Sequence, residues 1–422
     1  MKKTIVIIIA ALLVFSHVSC TALPSSRGQT ATLTRTATFM PSALATETQM
    51  YTHTPTFTPF PKNTSTSSPT ATKSSEPFDY TTLPGRLAFL DFTCNHQNLC
   101  TNISVIKADL SEEPQLITDN DHAMSINPIW SPKGRYIAYD YFSLGENGKE
   151  QIRVYDFKTK QNIVLTPQGI NGVFGMSWSP DERFLVFGTQ TADGQNTNIF
   201  RINVQAVAMI NLTSRYPGRN EYPAVSPDGK TIAFMSDRGE KGKSTMNVWV
   251  MNLDGSQPQN ITPNDGLGWQ DTKPSWDHSG QSITFYRYKE LEGNNDLGGP
   301  GGLWIYSMDT KETDLLYAFH SDPEFSEPAV WSPDGHMIAF NFGKEKDISI
   351  WVVRNDGQRP VKIGQPEGTN HRISWSPDSR AFVFTNRKDV LSNIYISVLD
   401  SPNPFTASGP SAITDANWSP GD

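Results

Sequence analysis

The chain has 422 residues, 37% of them hydrophobic and 18% charged, with a formal net charge of -8 and a pI of about 5.5. An acidic balance without a basic stripe of interleaved aromatics excludes nucleic acid as a partner, and serves chiefly solubility. Only three cysteines occur, so this is no disulfide-dense miniature scaffold, and the length allows a sizeable core.

Lys2 and Lys3 precede an apolar run over 5–15, which is too short to span a bilayer and reads as an export signal. Val18-Ser19-Cys20 follows at once. This juncture resembles the bacterial lipoprotein cleavage site, a resemblance that implies a lipidated Cys20 as the first mature residue. His17 departs from that pattern, in which Leu is usual at this position. Residues 1–20 are therefore taken as signal peptide, and the protein is expected to be exported and membrane-anchored in the cell envelope.

Residues 21–80 are dominated by Thr, Ser, Pro and Ala, as in Thr52-His53-Thr54-Pro55-Thr56-Phe57-Thr58-Pro59. Such a segment lacks the apolar periodicity needed to bury a core and is expected to be disordered. As a coil of about sixty residues it would reach roughly 40 Å, so it reads as a stalk.

From residue 81 the chain is repetitive. Trp130-Ser131-Pro132, Trp178-Ser179-Pro180, Val225-Ser226-Pro227, Trp276-Asp277-His278, Trp331-Ser332-Pro333, Trp375-Ser376-Pro377 and Trp418-Ser419-Pro420 are seven copies of one signal, spaced by 48, 47, 51, 55, 44 and 43 residues. A period in the forties indicates a propeller or a solenoid. Ser226-Pro227-Asp228-Gly229 and Ser332-Pro333-Asp334-Gly335 place Ser, Pro and Gly where a type I turn wants them. Short strands follow the turns over 136–139, 184–187, 231–234, 282–285, 337–340 and 381–384, with further strands near 152–155, 248–251, 304–306, 350–353 and 394–396. A weaker strand ends in Ile117-Thr118, Leu165-Thr166, Leu212-Thr213 or Ile261-Thr262. Four strands per unit and no helical period predict an all-β, seven-bladed β-propeller over 81–422. Pro84-Gly85-Arg86-Leu87-Ala88-Phe89 lacks a preceding inner strand and Asn417-Trp418-Ser419-Pro420 has nothing after it, so the two ends should complete one blade.

The period, the Ser-Pro-Asp-Gly turn and the strand that follows it resemble the propeller repeat of the TolB family, related to WD40-like repeats and shared with the propeller domains of prolyl-oligopeptidase-type enzymes. The resemblance covers residues 84–422. It implies envelope location and protein contacts for TolB-like members, and a gating lid for the peptidases. Two features depart from TolB: no α/β domain precedes the propeller, and seven units stand where six are typical.

Cys94 and Cys100 flank a hairpin loop and are expected to form a disulfide in an exported protein, worth about 2 kcal/mol for so short a loop. Catalytic and metal motifs are wanting. Gly175-Met176-Ser177-Trp178-Ser179 fails as a nucleophile elbow, Gly242-Lys243-Ser244 lacks the rest of a phosphate loop, and Asp119-Asn120-Asp121-His122 offers too few ligands for calcium. No cofactor, metal or catalytic residue is expected. What remains is the loop-rich face. Asn127, Tyr222, Lys273, Glu327, Arg372 and Asp415 lie just ahead of the innermost strands and should line the mouth of a central channel, with Trp269 on the entering loops. Mixed charges plus aromatics suit a protein or polar ligand, so the chain reads as a monomeric, non-enzymatic binding module. The alternative is an enzyme on an extracellular polysaccharide or peptide, with Glu327 and Asp415 as acid and base.

Overall fold

A computed structural model describes residues 79–422, apart from stretches at 93–99, 121, 145–147, 167–168, 239–244, 264–267, 290–300, 320–326, 345–346, 364–367, 389–390, 400–404, 407–412 and 421–422. The expected signal peptide with Cys20, most of the expected stalk, and Cys94 fall outside the described residues.

After a 3-10 turn at Tyr80–Thr82, the chain forms β1 (Arg86–Asp91), β2 (Asn102–Lys107) and β3 (Gln115–Leu116) of blade 1. Blade 2 holds β4 (Ala123–Trp130), β5 (Tyr136–Ser143), β6 (Glu150–Asp156) and β7 (Gln161–Val164), and blade 3 holds β8 (Asn171–Trp178), β9 (Phe184–Gln190), β10 (Thr197–Asn203) and β11 (Ala208–Asn211). Blade 4 comprises β12 (Asn220–Val225), β13 (Thr231–Ser236), β14 (Asn247–Asn252) and β15 (Gln259–Asn260), and blade 5 comprises β16 (Trp269–Trp276), β17 (Ser282–Lys289), β18 (Gly302–Ser307) and β19 (Thr313–Ala318). Blade 6 is β20 (Val330–Trp331), β21 (Met337–Lys344), β22 (Asp347–Arg354) and β23 (Val361–Lys362), and blade 7 is β24 (Thr369–Trp375), β25 (Ala381–Lys388), β26 (Leu391–Val398) and β27 (Phe405–Thr406). The last strand, β28 (Ile413–Trp418), returns to pair with β1, giving the order β28-β1-β2-β3 in the first sheet. Seven four-stranded antiparallel sheets result, as the repeat predicts.

The turn residues act through local hydrogen bonds. Ser226 Oγ accepts from Thr231 N–H at 3.0 Å and donates to Asp228 Oδ1 at 2.6 Å, while Gly229 N–H closes the turn on Ser226 O at 2.8 Å. Gly229 sits at φ +71°, which a glycine reaches without a Cβ clash. In blade 5 the Asp277 carboxylate takes the place of the serine hydroxyl and accepts from Ser282 N–H at 2.9 Å, which explains why the Trp-Asp-His variant keeps the turn.

The strand after each turn is buried on both faces, so its pattern is a continuous apolar run with large and small residues alternating. Ile137 and Tyr139 pack toward blade 1, whereas Ala138 between them packs toward blade 3. Seven hydrophobic clusters arise in this way, one at each junction between neighbouring blades. The cluster of Leu87, Phe89 and Trp418 with Val383 and Ile396 closes the ring between blades 7 and 1. Trp recurs because its indole N–H links blades: Trp178 to Ile129 O at 3.4 Å, Trp276 to Ala224 O at 3.0 Å, Trp375 to Val330 O at 3.0 Å and Trp130 to Asn417 O at 3.1 Å. The Ile-Thr and Leu-Thr pairs lie just past the outer strands rather than at their ends. Their threonines accept from central-strand amides, as Thr213 Oγ1 does from Ile199 N–H at 2.9 Å and Thr166 Oγ1 from Ile152 N–H at 2.7 Å.

Candidate functional site

Each long inner strand carries a β-bulge. The register of β4 on β5 shifts between Ile126 and Ile129, that of β12 on β13 between Glu221 and Ala224, that of β16 on β17 between Thr272 and Ser275, and that of β24 on β25 between His371 and Ser374. Bulges re-aim side chains, and these do so through one left-handed residue placed three positions before the Trp of the repeat, or before Val225 in blade 4. Those residues are Asn127 at φ +54°, Tyr222 at +50°, Lys273 at +54°, Arg372 at +57° and Asp415 at +56°, with Gly175 at +82° in blade 3. Holding a non-glycine residue there costs on the order of 1 kcal/mol or more, and repeated strain of this kind concentrates at working sites. Blade 6 departs from the rule because Pro328 occupies the position and its ring fixes a negative φ. There β20 shrinks to Val330–Trp331, and Glu327 supplies the side chain instead.

These residues, one from each blade, meet at the centre of the ring. Arg372 Nε lies 2.9 Å from Glu327 Oε1 and 3.3 Å from Asp415 Oδ1, its backbone N–H donates to Glu327 Oε2 at 2.7 Å, and its Nη2 donates to Asn127 Oδ1. Asn127 Nδ2 in turn donates to Asp140 Oδ2 at 2.6 Å. Opposite, Lys273 Nζ stands 5.2 Å above the Tyr222 ring, and a Cβ on Gly175 would come within 3.0 Å of Tyr222 Cα. Blades 1, 2, 6 and 7 thus share an ion-pair and hydrogen-bond network, while blades 3, 4 and 5 meet around Tyr222.

Burial sets the charge states. It pushes Asp140, 1% exposed, up to about 8 against the opposing hydrogen bond from Asn127, and Oδ1 of this carboxyl has no hydrogen-bond partner. It pulls Lys273 down to about 8 despite the nearby Glu327 carboxylate, and it raises Tyr222 to about 12. Glu221 is also raised by burial, with Arg219 opposing. For Arg372 burial works downward, but Asp415 and Glu327 outweigh it and hold the guanidinium above its ordinary value. The network is not sealed, since 38% of the Arg372 side chain, 20% of Glu327 and 22% of Asp415 remain accessible.

Six of the seven candidate binding residues therefore converge. Trp269 opens β16 four residues before Lys273, with Lys289 Nζ 6.0 Å from its ring centroid. It lies within the strand, not on the loop where the sequence reading puts it. Asp140 escaped that reading, although the sequence does carry a signal: it is the one acid at a position filled elsewhere by Leu90, Gly188, Met235, Tyr286, Asn341 and Thr385.

Residues 81–296 match the family model described as the TolB beta propeller domain. The Tol-Pal system protein TolB of Francisella tularensis is 25% identical over 278 residues, a match taking in 64% of this chain and 59% of that protein's length. An oligogalacturonate lyase from Vibrio parahaemolyticus superposes with a TM-score of 0.54 at 15% identity, over 76% of this chain and 92% of that one. A prolyl endopeptidase superposes with a TM-score of 0.56 at 10% identity, over 79% of this chain and 51% of the peptidase. Likeness at these identities is likeness of fold.

Proposed function

Since the chain belongs to the TolB β-propeller domain family, we propose that it is a non-enzymatic binding module of the cell envelope, which takes a protein segment or polar ligand where the central network opens. The observation carrying this reading is the set of five left-handed, non-glycine residues of different chemistry delivered to one centre. A ring that needed only a packed core would have no use for them. Family membership supports the envelope setting, and the name of the Francisella relative, a Tol-Pal system protein, supports a protein partner. The enzymatic alternative has less behind it. Glu327 and Asp415 both serve as counterions of a single guanidinium, whereas acid–base hydrolysis of a glycosidic bond needs two carboxyls flanking an open gap of about 5–9.5 Å.

A partner captured from envelope extracts should lose about 1–3 kcal/mol of affinity with Trp269→Ala or Arg372→Ala, because aromatic and Arg anchors dominate interfaces. Asp228→Ala, in the turn that caps blade 4, should lower the unfolding midpoint and leave affinity unchanged. Binding that survives both Trp269→Ala and Arg372→Ala would move the working face elsewhere.

Tethering at Cys20 and a Cys94–Cys100 disulfide belong to the same proposal. Detergent partitioning should show Cys20→Ala released from membranes, and mass spectrometry should find wild-type protein beginning at a lipid-modified Cys20. A mature chain that begins elsewhere, or a variant that stays equally membrane-bound, removes the anchor.

A further inference from the structure

A propeller ring turns the inner edges of its sheets toward the central channel but leaves one outer edge per blade facing outward, and an exposed edge is a template for pairing. Six of the seven outer strands carry a blocking residue in the strand or at the sequence position just before it: Pro114 at β3, Lys160 at β7, Pro258 at β15, Asp314 at β19, Lys362 at β23 and Pro404 at β27. Blade 3 is the exception. Between Arg201 and Arg215 there is neither a charged residue nor a proline, and β11 is the outer strand within that stretch. Its inner side pairs with β10, through Ile202↔Met209 and Arg201↔Ile210 among others, and among the described residues no strand pairs with its other side.

The same strand and the turn residue just before it carry an apolar patch. Val207, Met209 and Ile210 are 37%, 46% and 50% exposed, and they are the only large exposed hydrophobics of the described residues that are contiguous. Phe92, Leu116, Leu144 and Val361 are scattered singly, which is ordinary for a protein surface.

We propose that β11 is a self-association edge, where a second copy of this chain adds its own β11 antiparallel across a two-fold axis to form a continuous eight-stranded sheet. Charge selects this occupant. Two copies with a net charge of -8 each repel, and a two-fold contact sets a patch against its own image, so any charge on the patch meets a like charge. The six blocked edges fail that condition through a charge, or fail to donate through a proline. Among the outer strands β11 alone has neither a charge nor a proline within it or at the position just before it, and its exposed Met209 and Ile210 would cover their symmetry mates. A contact of four residues per strand is small, so the dimer should be weak, in the micromolar range.

Sedimentation velocity on the exported chain carrying Cys20→Ala, from roughly 1 to 200 μM, should show a reversible monomer–dimer equilibrium. Ile210→Lys puts a like charge on each side of the axis and should raise the dissociation constant at least tenfold, with an unchanged melting temperature, whereas Val361→Lys on β23 should leave it as it was. Met209→Cys should give a disulfide-linked dimer on mild oxidation, and Val361→Cys should not. A protein that stays monomeric across the range overturns the proposal. So does a dimer indifferent to Ile210→Lys, or a β11 that pairs only with an unrelated protein.

Discussion

Deleting residues 416–422 should turn a soluble propeller into an aggregating chain with most of its stability gone. These residues supply the second half of the inner strand of a blade whose other three strands lie about three hundred residues earlier. Trp418, 4% exposed, and Ala416, 2% exposed, fill the junction between blades 7 and 1 beside Leu87, Val383 and Ile396. Ser419 N–H donates to Arg86 O and Arg86 N–H to Ser419 Oγ, both at 2.8 Å, and the Trp418 indole donates to Pro84 O at 2.8 Å. The next blade is tied in as well, because the Trp130 amide and indole both use Asn417, each at 3.1 Å. Losing a buried Trp alone costs about 3–5 kcal/mol, against a total of about 5–15 for a folded protein, and the hydrogen bonds add to that. The deletion also bares the inner edge of β1 at Leu87 and Ala88, which pair with Trp418 and Asn417, and such an edge nucleates aggregation. Thermal unfolding and size exclusion would measure both effects, and Trp418→Ala should show the packing part alone. A truncated protein as soluble and heat-resistant as the parent would mean that the ring closes some other way.

That closure was readable because each of its causes is local or periodic. Ser-Pro-Asp-Gly makes its own hydrogen bonds, Ile-Ala-Phe states a doubly buried strand, and Trp marks the inner strand wherever it recurs. The centre of the ring was legible only as positions. The spacing from Trp located Asn127, Tyr222, Lys273, Arg372 and Asp415, but no residue type in the set announces a left-handed backbone, which arises from the bulged register between two strands. Partnerships were hidden for a related reason: Arg372 and Asn127 are 245 residues apart and meet only once seven blades are counted round. Trp269 shows the opposite error. It reads as a loop residue, yet it opens β16, and two positions on, Asp271 is completely buried against Arg287 Nε at 2.7 Å. Polar residues inside an eight-residue strand look like a loop until their partner is known.

The buried acid of the network should make stability depend on pH in a way that a single substitution removes. Asp140 has its folded value near 8 and an ordinary value of 3.8, so between the two the folded chain keeps a proton that the unfolded chain has released. Stability is then lost as pH rises across that window, because the unfolded state binds fewer protons there. Glu150, raised to about 7 by burial, acts in the same direction from 4.5 upward. Lys273 acts in the other direction. Its folded value near 8 lies below the ordinary 10.5, so the cost of its buried charge is present below pH 8 and relieved as pH climbs from there. The trends cross near 8, where this part of the protein is weakest. Asp140→Asn keeps an acceptor for Asn127 Nδ2 and a neutral group at every pH, and it removes Asp140's share of the loss while leaving that of Glu150. Relative to wild type it should gain on the order of 3 kcal/mol between about pH 5 and pH 8. Urea unfolding of both proteins at several pH values reads the difference directly. A gap that does not widen with pH would mean that Asp140 is ionised in the folded protein throughout, with Arg372 as its counterion across Asn127.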